Sequence, residues 1–421
     1  MAGHFFHAPF RINSYHTFWI YWKFYVIISL TEVSNMTFPS KILNLAKKLI
    51  SFPTISKDSN LELIYYVANY LESYNITPTI QLNKSENKAN LIATIGPTHV
   101  PGLILSGHTD VVPTETQNWI SNPFSPWIDG ERLYGRGTAD MKGFIAVVLS
   151  LIPLFYKSDM NAPLHIVLTY DEEIGCFGAY ELIKHFQSNA LAKPMACLVG
   201  EPTEMHVINA HKGIKLLRTT VRGPTGHSSR SVEEDSSLIV MSELILFLKE
   251  LNILYKKKPI ISASKKFEQP YTTINMGQLR AGTAANIIPA ESELLWEYRI
   301  ISEKNEQEVL DRFIHQCEDK NTKSIFIKTD ELAYVPPLCS SGNKSLTKQL
   351  LCLNGHMQSY HADYCTEAGI YQQFLGVPTI LCGPGSIKQA HKENEYVELK
   401  QLLKANSLLI GLIKEICYKI K

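Results

Sequence analysis

The chain has 421 residues, 45% apolar and 19% charged, the balance of a globular protein with room for two domains. A formal net charge of +1 leaves no basic footprint for nucleic acid or for an anionic membrane surface, so neither is expected as a partner. Eight cysteines without a C-x-x-C pair argue against a zinc ribbon and a dense disulfide framework, and read as reduced thiols of a cytoplasmic protein.

Residues 1–35 are rich in aromatics, and their apolar stretch WIYWKFYVIISL is broken by Lys23 and too short to span a bilayer. A second methionine, Met36, follows, so 1–35 is expected to be a dispensable extension, with a signal anchor as the alternative. Beyond it Ile42, Leu45, Ala46, Leu49 and Ile50 recur at helical spacing, and Pro53 ends that helix. A repeating pattern then begins, in which a short apolar run meets a turn, delivers an acid or an imidazole, and gives way to a helix. LILSG runs into His108 and, two positions on, Asp110. RLYGRGTAD ends in Asp140 ahead of the helical MKGFIAVVLSLIPLF, and LHIVLTY leads to Asp171, Glu172 and Glu173 before FGAYELIKHF. MACLVG leads to Glu201, the run Lys256, Lys257, Lys258 reads as a solvated loop, and PTILCGPGSIKQAH leads to His391 before a long helical pattern from Glu398 to Cys417. Strands alternating with helices predict an α/β fold, a sheet with helices on both faces, and in such sheets ligands bind beyond the carboxyl ends of the strands.

The residues gathered at those ends are His108, Asp140, Glu173, Glu201 and His391, two imidazoles and three carboxylates with no thiolate. That donor set suits catalytic zinc, cobalt or manganese rather than a closed structural zinc site. Five donors exceed one tetrahedral ion and match two ions if Asp140, on its glycine-flanked turn, bridges them. Asp110 is placed to reach the second nitrogen of His108 and fix its tautomer. Glu172, beside a ligand but not needed as one, is the expected general base, acting on a metal-activated water. Singly, each has a plainer reading: a hydrogen-bonded core histidine, an acidic helix start, an ordinary turn or a loop imidazole. Their joint placement after successive strands favours the site.

The ordered motifs SGHTDVVP, LYGRGTADMKG, DEEIGCFGA, VGEPT, GHSS and GPGSIKQAHKENEYV resemble the di-zinc aminoacylase and carboxypeptidase family from about residue 38 to the C-terminus. The resemblance implies two Zn²⁺ per subunit, with Co²⁺ able to substitute: His108 and Glu201 on one, Glu173 and His391 on the other, Asp140 bridging ahead of a cis bond to Met141. It also implies a mixed-sheet catalytic domain formed by 36–212 and 332–421, and a smaller α+β lid inserted at 213–331 that makes a homodimer. In that lid His227 would reach across the dimer to the oxyanion, and Asn286 and Arg299 would bind the substrate carboxylate. The segments YCTEAG and GPGSIKQAHK resemble the deacetylase branch that converts N-acetyl-L-ornithine to L-ornithine and acetate in arginine biosynthesis. Thr366 and Glu367 of that first segment are then substrate-binding candidates, with Glu367 or the nearby Asp363 facing the substrate ammonium. The alternatives are a succinyl-diaminopimelate desuccinylase or broad aminoacylase, and a metal-binding protein without catalysis.

Overall fold

The computed structural model describes residues 40–188, 192–230, 236–258, 265–302 and 306–418; the expected dispensable extension 1–35 lies outside them. Eight strands form the central sheet, in the order Thr79–Leu82, Ala89–Ile95, Leu164–Thr169, Leu103–His108, Ala196–Pro202, Thr379–Gly383, Ile208–His211 and Tyr360–Ala362. The middle strands are parallel: Leu103–His108 pairs in parallel with the strands on both sides, and Thr379–Gly383 with Ala196–Pro202. Antiparallel pairings toward both edges make the sheet mixed. Three of the middle strands, Leu103–His108, Leu164–Thr169 and Ala196–Pro202, are buried along their whole length, as expected where helices cover both faces.

One face is covered by the helices Ser40–Ile50, Leu61–Glu72, Lys142–Ser150 and Leu399–Ile413, which bury Ile42, Leu63, Phe144 and Leu409 against it. The other carries Phe177–Ser188 and the short helical segment around Ile370, which bury Leu182 and Tyr371 against Ile104 and Val199. Close approach matters at Gly200, where a Cβ would lie 2.0 Å from the Phe144 ring; only glycine lets the Lys142–Ser150 helix sit on the strand that presents Glu201.

Two expectations need correction. RLY belongs not to the central sheet but to a three-stranded one, Arg132–Tyr134 lying between Tyr396–Glu398 and Trp127–Asp129. The pairing of Tyr134 with Tyr396 brings the loop of Asp140 beside that of His391. The lysine run is not a loop either: Lys256 and Lys257 form the last turn of the helix Ser237–Lys257, where cations meet the negative end of the helix dipole.

A second, antiparallel sheet of four strands runs Thr273–Ala281, Glu291–Ile300, Gly213–Arg222 and Phe326–Val335. Its last strand continues past residue 331. Strict alternation along Glu291–Ile300 turns Leu294, Trp296 and Tyr298 toward the helices Ser237–Lys257 and Glu306–Lys320 and leaves the opposite face more open.

Candidate metal centre

His108 closes its strand, and Asp140, Glu173, Glu201 and His391 converge on it. The Nε2 of His108 lies 2.9 Å from Asp140 Oδ1, and the Nε2 of His391 lies 3.2 Å from Asp140 Oδ2 and 3.0 Å from Glu173 Oε2. The donor atoms of His108, Asp140 and Glu201 fall within 4.8 Å of one another, as do those of Asp140, Glu173 and His391. Asp140 is the member common to both triads, one oxygen turned to each histidine. Its bond to Met141 is cis.

The chemistry of these contacts asks for cations. His108 Nδ1 stands 2.9 Å from the carbonyl of Asp110, which can only accept, so that nitrogen carries the proton. In the neutral ring Nε2 then points a lone pair at a carboxylate oxygen, a repulsive arrangement unless a positive charge, a second proton or a metal, lies between them. A metal about 2.0–2.1 Å from each atom would relieve it. Glu201 Oε1 is buried without any hydrogen-bond partner, a costly state for a carboxylate oxygen outside a metal site. Without a metal the same carboxylates draw protons onto the imidazoles: hydrogen bonds to Asp140 and Glu173 push His391 up to about 11. Burial opposes charge on His108, yet Asp140, Glu172 and Asp110 hold its pKa well above the ordinary value. Burial, followed by the Asp140 charge, raises both Glu173 and Glu201. The residues present fit two divalent ions.

Asp110 does its positioning differently from the expected way. Its backbone carbonyl, not its carboxylate, holds His108; the carboxylate stays 3.7 Å from Nδ1. The strand ends at His108, so strand alternation does not set the side chain of residue 110. That carboxylate instead accepts the Ser56 hydroxyl at 2.7 Å and the backbone N–H groups of Glu172 at 3.1 Å and Glu173 at 3.3 Å. Glu172 is half-buried; burial first, then the charges of Glu201 and Glu173, hold its carboxyl well above the usual range.

The substrate-side residues divide. His227 is exposed, with Nδ1 2.8 Å from the Ser229 hydroxyl, and it pairs with Ile287 in a two-stranded ribbon. Asn286 joins the same ribbon, its carbonyl accepting the Ser228 N–H at 3.0 Å. Arg299 donates to Glu297 at 2.9 Å and lines a cavity of about 430 Å³ with Lys212, Gln269, Tyr271 and Asp363. Glu367 is a correction: it is wholly buried, with Ser106 donating to one oxygen at 2.5 Å and Thr169 to the other at 2.7 Å. No face of its carboxylate is left for a substrate ammonium. Thr366 is buried and accepts the Ala368 N–H at 3.2 Å, a local turn contact. Asp363 is engaged too, pairing with Lys212 at 2.8 Å and accepting the Glu268 N–H at 3.0 Å.

Sequence reading missed Glu395, Arg136 and Gln117, which hold the loops of Asp140 and His391. Glu395 stands in the HKENEYV stretch four positions after a ligand, and Arg136 four before one. A charge inside a glycine-rich turn was the available signal.

Two carboxylate–imidazole triads sharing one aspartate, at the strand ends of an α/β sheet, define a metal-dependent hydrolase centre. Residues 104–415 match the sequence profile of Peptidase family M20/M25/M40, and the chain belongs to that family. It is 31% identical over 392 residues to an acetylornithine deacetylase of Buchnera aphidicola subsp. Acyrthosiphon pisum (strain Tuc7), covering 88% of this chain and 97% of that one. It is 32% identical over 394 residues to an acetylornithine deacetylase of Proteus mirabilis (strain HI4320), covering 91% and 98%. Among solved structures, an M20 family metallo-carboxypeptidase from Sulfolobus solfataricus superposes with a TM-score of 0.71 at 17% identity, covering 89% of this chain and 98% of that one. A Staphylococcus aureus tripeptidase does so at 0.67 and 19%, again over 89% and 98%. At such identities these two speak for the fold alone.

Proposed function

We propose that the protein hydrolyses N-acetyl-L-ornithine to L-ornithine and acetate, the arginine-forming deacetylation, in the cytoplasm. The observation that carries the chemistry is the pair of triads meeting at Asp140 with Glu172 beside them. The substrate assignment is supported by relatives named acetylornithine deacetylase that match over nearly their whole length. Among the described residues no helix is long and apolar enough to cross a membrane.

Two zinc ions, or cobalt in their place, would polarise the acetyl carbonyl and acidify the attacking water when held by His108, Glu201, Asp140, Glu173 and His391. Glu172 takes the proton from that water and delivers it to the amine nitrogen as the amide bond breaks. Its raised proton affinity suits the second half of that task. Asp110 keeps Glu172 aimed by accepting its backbone N–H. Arg299 and Asn286 receive the substrate carboxylate, and His227 serves the oxyanion in the partner's site, an interaction of a kind that contributes about 3 kcal/mol to the barrier. A homodimer through 213–331 supplies that geometry. The helix Ser237–Lys257 supports it, because it leaves Leu238, Ile239, Leu246, Ile253 and Leu254 exposed while burying its other side.

The deciding experiment compares kcat/KM of the zinc-loaded protein on N-acetyl-L-ornithine and on N-succinyl-L,L-diaminopimelate, with a chelated control. A strong preference for the first, lost on chelation, is expected. Preference for the succinylated substrate would overturn the substrate and keep the metal chemistry; turnover that survives chelation would overturn both.

A further inference from the structure

Asp140 and His391 come from loops far apart in the chain, and the His391 side chain is half exposed with a backbone φ of +66°, so neither packing nor local preference holds it in place. A single network, buried at Arg136 and Glu395 and open to solvent where Gln117 meets His391, reaches both. Glu395 is fully buried and accepts Arg136 Nη1 at 2.8 Å. The same carboxylate accepts the backbone N–H groups of Gly137 at 3.1 Å, Ala139 at 2.8 Å and Asp140 at 3.1 Å. Arg136 also donates to the carbonyl of Lys392 at 3.2 Å, next to His391, and to Gln117 Oε1. The amide nitrogen of Gln117 in turn donates to the carbonyl of His391 at 2.7 Å. Three side chains therefore fix the main chain of the shared ligand and the main chain of the loop ligand from one centre.

We infer that Arg136, Glu395 and Gln117 are positioning residues for the metal pair, and that Gln117 acts on one ion only, the one held by Asp140, Glu173 and His391. The reasoning is one of reach. Glu395 sets the peptide of Asp140, which serves both triads, so its loss is felt at both ions. Of the metal ligands, Gln117 contacts the main chain of His391 alone; its other side-chain partners are Arg136 and Trp119, and His108 and Glu201 sit at strand ends that it does not contact. Partners of metal ligands typically carry 10–100-fold in metal affinity.

This rests on the two-metal reading of the site, and its test does not use catalysis. Zinc is titrated into chelator-stripped full-length protein against a chromophoric competitor, for the wild type and for Gln117→Ala, Glu395→Gln and His391→Ala. The wild type should take up two equivalents, and His391→Ala should identify the one that depends on the loop. Gln117→Ala should weaken that same equivalent by about 10-fold or more and leave the other within twofold, with no change in the Tm of the stripped protein. Glu395→Gln should weaken both. Unchanged zinc affinities in Gln117→Ala, or equal weakening of both equivalents, would overturn the proposal, and the Gln117→Ala arm decides even if Glu395→Gln fails to fold. A wild type that binds a single equivalent would overturn the two-metal reading itself, a result distinguishable from failure of the Gln117 arm alone.

Discussion

Replacing Glu172 by Gln removes a proton carrier and little else. The backbone N–H of Glu172 is held by Asp110 Oδ1 at 3.1 Å and that of Glu173 by Oδ2 at 3.3 Å, so the main chain of neither residue depends on the 172 side chain. The Cys176 thiol stands 3.6 Å from Oε1, a weak hydrogen bond that the amide oxygen of Gln can also accept. A positioned general acid and base is worth 10²–10⁴ in rate, about 3–5 kcal/mol of barrier at 1.36 kcal/mol per decade. Glu172→Gln should therefore lower kcat/KM on N-acetyl-L-ornithine by at least about 100-fold while bound zinc stays at the wild-type ratio. Because burial and the neighbouring Glu201 and Glu173 charges disfavour its ionised form, the neutral isostere should leave the Tm of the chelated protein equal or higher. Zinc content, steady-state kinetics and thermal melts of one preparation read all three quantities. Activity within tenfold of the wild type would refute the assigned role. A fall in zinc content would instead make Glu172 a ligand.

Other substitutions separate structural from functional carboxylates. Glu367→Gln should leave KM for N-acetyl-L-ornithine unchanged and lower stability by about 1–3 kcal/mol, through the disturbed Ser106 and Thr169 hydrogen bonds, as denaturant unfolding would read. A raised KM with unchanged stability would restore Glu367 to the substrate pocket. Asp363→Ala strands the Lys212 ammonium, whose side chain is only 1% exposed, and should cost about 3 kcal/mol; adding Lys212→Met should recover most of it, and a double-mutant cycle without coupling would contradict this. Burial lowers His165 to about 4, with the His185 charge a lesser cause. The folded pKa thus lies below the unfolded one near 6.5, so its contribution is present above pH 6.5 and is lost as pH falls toward 4, amounting to about 3 kcal/mol at most. His165→Gln should flatten the difference in unfolding free energy between pH 7 and pH 4.5; an unaltered pH dependence would show that other groups carry it. In the helix Ser237–Lys257, Leu246→Asp should shift the sedimentation of a dimer toward the monomer, and no shift would remove that face from the interface.

Local sequence is enough to say which side chains could make the centre and roughly where along the fold they stand. Apolar runs such as LILSG and LHIVLTY declare buried strands because burial on both faces is a local requirement, and the residue after each is delivered to a strand end whatever the strand order. Donor chemistry is likewise local: two imidazoles and three carboxylates without a thiolate prefer catalytic divalent ions in any arrangement. Which atom each polar group meets follows from packing alone. Glu367 and Glu201 are both buried acids, yet packing gives Glu367 the hydroxyls of Ser106 and Thr169 and leaves an oxygen of Glu201 with no partner. RLY looked like a core strand until its pairing with Tyr396–Glu398 placed it in a separate small sheet, and that same pairing brings Glu395 under the peptide of Asp140. Such contacts join residues hundreds of positions apart and depend on how loops are stacked, and neither periodicity nor residue type carries that information along the chain.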